Sequence, residues 1–395
     1  MNHPLRQPSF RALFLSRAAG NLAVAFSEIP LMWWVLEKTG QASLVATVAL
    51  LASLGTLLAA PLGGILADWG SRKRQILLTY GGDLAIQALF IAGVLGGWLS
   101  LGLLDLLVLG SYLLSGLRQP AVAALQPALL KEEQYQAGNA SMGLAFSLAL
   151  LVSYSLAGVA TGALGVVGAL ALGEVIIFLG AIFLLPLKEP ERLQAPCGQQ
   201  GIWNGVRFVL QSRLLSLLVG VAMLLNLVFA PLSALLAPLA RLLGSGAAGY
   251  GWLSAAFFAG QILSMAVLNF VSLSPATGLF LGSLFGGCAV VGLSQAGGLP
   301  VGLSALFVAG LATGVANVQV QTLLQKLVPL ALMGRVMGTL QGLLVGIQPV
   351  GLALTSLLVG HLGVRRILLA AGAWVTLAAF LWLLPGFRLP RVQEV

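Results

Sequence analysis

The chain has 395 residues, of which 59% are hydrophobic and only 8% are charged, and its mean hydropathy is +1.00. Soluble globular domains carry about 25% charged residues, so this composition excludes an ordinary soluble domain and indicates a membrane protein. The formal net charge of +9 does not indicate nucleic-acid binding, because the basic residues stand singly or in short groups between apolar runs, as membrane topology requires.

Apolar runs of about 20 residues, each long enough to cross a hydrocarbon core, recur along the whole chain. We read the first run as a retained helix, because no small-residue cleavage site of a signal peptide follows it. The predicted fold class is therefore an all-α membrane protein with twelve transmembrane helices. These helices cover about 11–36, 42–67, 75–97, 102–125, 138–162, 165–187, 213–240, 247–272, 275–296, 300–325, 335–360 and 363–385.

The longest polar segment, 188–212, predicts a cytoplasmic linker between a first six-helix bundle, 1–187, and a second, 213–395. The segments "LQPALLKEEQYQAGN" and "LLQKLVPLALMGRVM" align at an offset of 198 residues, which is close to half the chain. This internal similarity favours two pseudo-symmetric bundles of the same topology, although low-complexity apolar sequence can mimic part of it.

The distribution of Lys and Arg predicts the orientation. With the N-terminus inside, 16 of the 20 basic residues lie on or toward the cytoplasmic side, which favours both termini inside under the positive-inside rule. We therefore expect a multi-pass protein of the plasma (inner) membrane, present as a monomer. The four basic residues left outside are Lys38, Arg241, Arg365 and Arg366.

The stretch "GGILADWGSRKRQ" concentrates charge between predicted helices 2 and 3. Asp68 and Arg72 are four residues apart and can pair if the segment is helical, while the two glycines permit close approach of another helix. Basic residues alone would serve as a cytoplasmic anchor, but an anchor does not explain the acid. We interpret Gly64, Asp68, Arg72 and Lys73 as a gating motif, with the plain anchor as the alternative.

This motif resembles the Gly-x-x-x-Asp-basic-x-Gly-Arg-basic pattern of the major facilitator superfamily, although Trp69 and Ser71 depart from it. The two internally similar segments further resemble the enterobactin-exporter and macrolide-efflux branch. The resemblance implies alternating access, export of drugs, macrolides or siderophores by drug:proton antiport, and a central cavity lined by helices 1, 4, 7 and 10. It also implies that the motif latches against the start of helix 11, near Arg335.

A polar stripe on predicted helix 1 contains Arg17, Asn21 and Glu28, which fall on one face at 100° per residue. Charged residues within a bilayer are costly and are candidates for function. We predict that Glu28 couples protons to transport and that Asn21 contributes to the substrate cavity. The alternative is that Glu28 only bonds a neighbouring helix.

Other polar residues inside the predicted helices have two open interpretations. Arg118 can contact substrate or pair structurally with Asp83, and the second interpretation is favoured. Asp83 and Glu174 lie on helices that are peripheral in the family's fold, which favours structural or secondary coupling roles. Further candidates for the substrate cavity are amides on helices 7 and 10, which can also bond other helices: Asn226, Asn317 and Gln321.

The predicted function is a secondary transporter for a hydrophobic or amphipathic small molecule, with protons as the coupling ion. A lipid or lysolipid flippase of the same fold and a non-transporting sensor are the alternatives. An enzyme is not expected, because the chain has no P-loop, HExxH or GxSxG motif and its two histidines stand near opposite ends. The cysteines show no metal-ligand spacing, so neither metal nor cofactor is predicted.

Overall fold

The computed structural model describes residues 4–131, 134–189, 207, 209–268, 270–271, 273–328, 336, 340 and 342–383. Within these residues the chain is helical and contains no strand, which confirms the predicted fold class. The helices are α1 (Pro8–Thr39), α2 (Ala42–Trp69), α3 (Arg72–Leu95), α4 (Leu101–Ala128), α5 and α6 (together Tyr135–Leu184), α7 (Arg213–Leu242), α8 (Gly246–Val267), α9 (Pro275–Ser294), α10 (Leu299–Leu327), α11 (Gln348–Leu362) and α12 (Val364–Ala379).

Helices α5 (135–164) and α6 (166–184) form a hairpin whose turn is a single residue. Gly165 has φ 71° and ψ 178°, a conformation that favours glycine. Tyr154 of α5 bonds Glu28 of α1, whereas a Cβ on Gly180 of α6 would lie 3.3 Å from the carbonyl oxygen of Ser16, near the other end of α1. Helices α5 and α6 therefore run along α1 in opposite directions. The segment Tyr135–Leu184 thus accounts for two membrane crossings.

Helix boundaries follow from local sequence. Helix α1 ends at Gly40, whose φ of 68° lets its N–H bond the carbonyl of Leu36. Helix α2 ends before the extended pair Gly70 and Ser71, and the Ser71 hydroxyl caps α3 by accepting a bond from the backbone of Arg74.

Two predicted features fall wholly or partly outside the described residues. Of the predicted linker 188–212, the segment 190–206 lies outside them, and so does the start of predicted helix 11 around Arg335. A single-residue turn at Ile347 precedes α11, whose second residue is Pro349. This interruption agrees with the expected effect of a proline on backbone hydrogen bonding.

The chain divides into two compact units, Met1–Ala195 with Ser245–Ala255, and Pro196–Gly244 with Ala256–Val395. The assignment of the first half of α8 to the first unit differs from the division expected from sequence. A physical reason is a close contact: a Cβ on Gly158 of α5 would lie 2.7 Å from the Cα of Gly251 of α8. Only glycines permit two helix backbones to approach this closely.

Glycines also determine how α2 packs along α4 in the first unit. A Cβ on Gly63 would lie 2.7 Å from the carbonyl oxygen of Leu117, and one on Gly116 would lie 2.6 Å from that of Thr56. In the second unit, Gly310 of α10 packs directly against the backbone of α8. The same helix pair is thus glycine-packed in both units, as two pseudo-symmetric bundles require.

We expect Gly116→Val to destabilise the first unit by about 1–3 kcal/mol, because an enlarged side chain forces the packed helices apart. The measurement is thermal unfolding of the purified protein in detergent. Gly102→Val is the matched control, since Gly102 is on the same helix and a Cβ there meets nothing within 4 Å. Equal losses in the two variants would show that valine disturbs α4 itself rather than its contact with α2.

Candidate functional site

Glu28 of α1 is a partly buried carboxylate that accepts hydrogen bonds from two tyrosines. The hydroxyl of Tyr154 donates to Oε2 at 2.7 Å, and that of Tyr250 donates to Oε1 at 3.2 Å. Across the described ranges the one ion pair is that of Arg118 with Asp83, so no Lys or Arg there pairs with Glu28. An acid at this depth without a cationic partner is a candidate for binding and releasing a proton.

The register between α1 and α5 positions the first of these tyrosines. The Ser153 hydroxyl donates to the carbonyl of Leu22 at 2.5 Å and accepts from the backbone N–H of Ala25 at 3.1 Å. Tyr154 follows directly in the sequence, and Glu28 is three residues beyond Ala25 on α1. The serine therefore holds the two helices where the tyrosine hydroxyl reaches the carboxylate.

A small cavity of about 40 Å³ lies beside Glu28, between α1, α2, α3 and α4. Apolar side chains form most of its wall, and the polar lining residues besides Glu28 are Ser27, Gln87, Ser111 and Tyr112. Gln87 donates to the Ser27 hydroxyl at 2.8 Å, while its buried amide oxygen has no hydrogen-bond partner among the described residues. A cavity of this size with a free acceptor can hold a water molecule beside the carboxylate.

A second acid lies near the middle of α3 and is connected to this cavity. Asp83 is 4% exposed, and its Oδ2 lies 2.5 Å from the guanidinium of Arg118. The Ser111 hydroxyl, whose residue lines the cavity, donates to the other Asp83 oxygen at 2.9 Å. Arg118 also stacks over the ring of Tyr80 at 4.8 Å. The structure thus contains the Asp83–Arg118 pair that the sequence favoured and links it to the Glu28 cavity through one serine.

The predicted stripe on α1 divides into separate environments. The guanidinium of Arg17 donates to Gln126 of α4 at 3.1 Å, and the amide of Gln126 donates to Asn139 of α5 at 2.7 Å. Asn21 is partly buried between Arg17 and Glu28. Arg17 therefore joins three helices, and the contribution of Asn21 to the substrate cavity stays a prediction.

The continuous helix that pairing of Asp68 with Arg72 requires is absent between these two residues. Asp68 is exposed, and Arg72 instead donates to the carbonyls of Ala67 at 3.3 Å and Ala124 at 3.5 Å. A pair four residues apart needs a continuous helix, but Gly70 and the residue after it are extended and separate α2 from α3. The close helix contact in this stretch is made by the preceding glycine, since a Cβ on Gly64 meets nothing within 4 Å.

The carboxylate of Glu189 binds the start of α3, a contact that the sequence did not predict. Its oxygens accept from the Ser71 hydroxyl at 2.6 Å and from the backbone N–H of Arg72 at 2.9 Å. The ammonium of Lys73 donates to the carbonyls of Leu185 and Leu187, at 2.5 and 2.8 Å. The motif therefore fastens α3 to the end of α6 within the first unit. Its action as a gating latch stays a prediction.

We expect Lys73→Met to lower the free energy of unfolding by about 1 kcal/mol, because it removes charge-assisted bonds to two helix-end carbonyls. Denaturation in detergent measures this loss. Arg74→Met is the matched control, since Arg74 is exposed and adjacent, and removes the same charge. If both variants lose the same stability, net charge rather than the carbonyl contacts stabilises this corner.

The amide candidates of the second unit differ in their surroundings. Asn226 of α7 donates to the carbonyl of Ala222 in its own helix at 3.0 Å. Asn317 and Gln321 are both exposed and lie one turn apart on the same face of α10. Gln319 is instead buried against Gly278 of α9. The side chains of Asn317 and Gln321 are thus accessible, and contacts of these two residues and of Asn226 with substrate stay predictions.

Glu174 lies on α6 and is partly buried. It follows Gly173, which packs against Phe26 of α1, but it does not line the cavity beside Glu28. This placement is compatible with the structural role that the sequence favoured, and a coupling role stays untested.

Sequence reasoning missed the two tyrosines that bind Glu28. Tyr154 and Tyr250 are 126 and 222 residues from Glu28 along the chain, so no local spacing connects them with it. The available signal was the rarity of tyrosine, of which the chain has five. A polar aromatic side chain inside an apolar helix needs a hydrogen-bond partner, and Glu28 is the partner for both.

The sequence matches the family model of the Major Facilitator Superfamily over residues 13–347. The chain belongs to this superfamily. This match agrees with the all-α fold of two pseudo-symmetric bundles.

Two relatives with assigned functions are exporters. The chain is 26% identical over 422 residues to the multidrug efflux pump Tap of Mycobacterium tuberculosis (strain ATCC 25618 / H37Rv), an alignment that covers 100% of this chain and 96% of the pump. It is 28% identical over 370 residues to the enterobactin exporter EntS of Shigella boydii serotype 4 (strain Sb227), covering 90% and 85%. The protein is a membrane transporter with efflux-pump relatives and is not an enzyme.

Solved structures show the same fold at low identity. The nucleoside transporter NupG aligns with a TM-score of 0.74 at 13% identity, covering 99% of this chain and 100% of NupG. The human organic anion transporter MFSD10 (TETRAN) aligns with a TM-score of 0.67 at 18% identity, covering 95% and 99%. At these identities the likeness concerns the fold and carries no information about substrate.

Proposed function

We propose that the protein exports a hydrophobic or amphipathic small molecule, such as a drug, a macrolide or a siderophore, in exchange for protons by alternating access. The observation that carries the proposal is Glu28, an acid inside the membrane that is bonded by two tyrosine hydroxyls and lies beside a small cavity. Such a group can bind and release a proton without losing a structural ion pair.

The composition of the second half supports the substrate class. No Asp or Glu occurs from residue 192 to residue 393, so carboxylate-based coupling belongs to the first half. The second half then offers apolar surface and amides such as Asn317 and Gln321, which suits a largely apolar substrate with a few hydrogen-bonding groups. The functions of the two relatives, multidrug efflux and enterobactin export, point to the same class.

The excess of basic residues between helices supports a plasma (inner) membrane protein with both termini in the cytoplasm. We propose that it works as a monomer. Alternating access in this family moves two bundles around a site near the middle of the membrane, and one chain supplies both bundles.

The test is proton movement in proteoliposomes that contain the purified protein and a trapped pH-sensitive dye. Lipophilic cations, macrolides, siderophores and lysolipids are added separately, and protein-free liposomes correct for passive leak. We expect members of the first three groups to drive protons across the membrane only in protein-containing vesicles. Movement of lysolipids without any proton flux would overturn the proposal in favour of a flippase, and binding without flux of any compound would indicate a sensor.

A further inference from the structure

A second, larger cavity of about 250 Å³ lies in the second unit between α7, α11 and α12. Its lining is apolar apart from the indole N–H of Trp374 and the hydroxyl of Thr355, which is already bonded to the carbonyl of Gly351 at 2.8 Å. An occupant of this cavity therefore meets mainly hydrocarbon. An apolar chain or ring suits it best, because most buried polar groups would be left without a partner.

Basic side chains from the end of α11 and the start of α12 lie at one end of this cavity. Ala370 and Trp374 line the cavity on α12, and Arg366 precedes them at the same four-residue spacing, so it lies on their face one turn nearer the helix start. Leu354 and Leu358 line the cavity on α11, and His361 continues their face toward the same turn. Both basic side chains are exposed.

The described residues of the second unit contain no carboxylate that could pair with Arg366. Neighbouring Arg365 donates to the carbonyls of Ser294 and Ala296 at the end of α9, at 3.3 and 2.8 Å. The first turn of α12 contains no acid, and no carboxylate occurs from residue 192 to residue 393. Exposed and without a protein carboxylate beside it, Arg366 is available to an anion at the membrane surface.

We infer that this cavity is a binding site for an anionic phospholipid, with one acyl chain lying in the cavity and the headgroup phosphate bound by Arg366 and His361. From Arg366 to Trp374 the helix rises about 12 Å, a depth that only the upper part of an acyl chain can fill. With both termini proposed in the cytoplasm, the lipid belongs to the outer leaflet. The site accounts for Arg366, one of the four basic residues that the positive-inside rule leaves outside, and it is independent of proton-coupled export.

The test is native mass spectrometry of the protein released from nanodiscs with equal amounts of phosphatidylglycerol and phosphatidylcholine. We expect preferential retention of phosphatidylglycerol, and a decrease of about fivefold in Arg366→Gln, the effect of one basic residue near an anionic lipid surface. Ala370→Trp fills the cavity and should abolish the preferential retention. The matched controls are Lys131→Gln, which removes an exposed charge elsewhere, and Leu369→Trp, which introduces the same side chain outside the cavity lining.

Equal retention of the two lipids by the wild type, or unchanged preference in both Arg366→Gln and Ala370→Trp, would overturn the inference. Thermal unfolding of each variant shows whether it is folded, and Arg366→Gln tests the site without added bulk if Ala370→Trp fails to fold. Displacement of phosphatidylglycerol by a transported compound would assign the cavity to substrate instead of lipid. Failure of proton flux through Glu28 would leave the lipid result unaffected, so the two proposals are tested separately.

Discussion

Replacing Glu28 with Gln is expected to reduce substrate-driven proton flux by at least about a hundredfold, the low end of what a positioned proton-transfer group contributes. Glutamine keeps the size of the side chain, and its amide oxygen can accept from one of the two tyrosines, which donate to separate carboxylate oxygens at 2.7 and 3.2 Å. The amide NH2 group can donate to the hydroxyl of the other tyrosine. Glutamine cannot exchange a proton. We therefore expect substrate binding to persist while proton movement stops.

The control for this prediction is Glu37→Gln. Glu37 is on the same helix but exposed, and its carboxylate accepts from Trp33 at 2.6 Å. Binding is measured by the quenching of tryptophan fluorescence, and flux by a trapped pH dye in proteoliposomes. If Glu28→Gln and the wild type transport protons equally, Glu28 only connects α1 with its neighbours, and Asp83 becomes the acid to test.

The second large effect is expected from Asp83→Ala, which should destabilise the first unit by about 3–5 kcal/mol. This is the usual cost of removing one partner from a buried ion pair. Asp83 is 4% exposed and lies 2.5 Å from the guanidinium of Arg118, so its removal leaves an uncompensated cation at the middle of the helix bundle. Folded yield and thermal unfolding in detergent measure the loss.

The double variant Asp83→Leu/Arg118→Met is the companion test. Replacing both charges with apolar groups leaves neither unpaired and should restore most of the lost stability. If the double variant is as unstable as the single one, the bond from Ser111 to Asp83 rather than the ion pair is essential. If the double variant folds and transports normally, the pair is structural, as the sequence favoured; if it folds but loses proton flux, Asp83 belongs to the coupling path.

Much of the fold could be predicted because membrane burial acts on each segment separately. The length and hydropathy of each apolar run predict a crossing, and the hairpin at Gly165 fits the separate helices predicted on either side of it. The pairing of Asp83 with Arg118 was also accessible, because unpaired charges in adjacent membrane helices are costly. In both cases a strong local requirement leaves few alternatives.

The contacts that the sequence did not reveal depend on how distant segments pack together. No local sequence pattern describes that packing. Pairing of Asp68 with Arg72 is prevented by two extended residues between α2 and α3. Glu189 reaches the start of α3 from 118 residues away along the chain, and its carboxylate looks like any solvated acid in the sequence. Tyr250 reaches Glu28 from the other side of the linker, because the start of α8 packs with the first unit.

The packing of the start of α8 with the first unit limits how the halves of this protein can be exchanged with those of a relative. A chimera that joins residues 1–195 of this protein to the second half of a relative would import a foreign α8 start, although Ser245–Ala255 packs with the first unit. The recipient would then lose the glycine facing Gly158 and the hydroxyl of Tyr250 on Glu28 unless the relative supplies both. A single crossover after residue 255 does not solve this, because Pro196–Gly244, which includes α7, belongs to the second unit. A chimera that keeps both units intact must therefore exchange the second half while retaining Ser245–Ala255 of this protein as a separate segment.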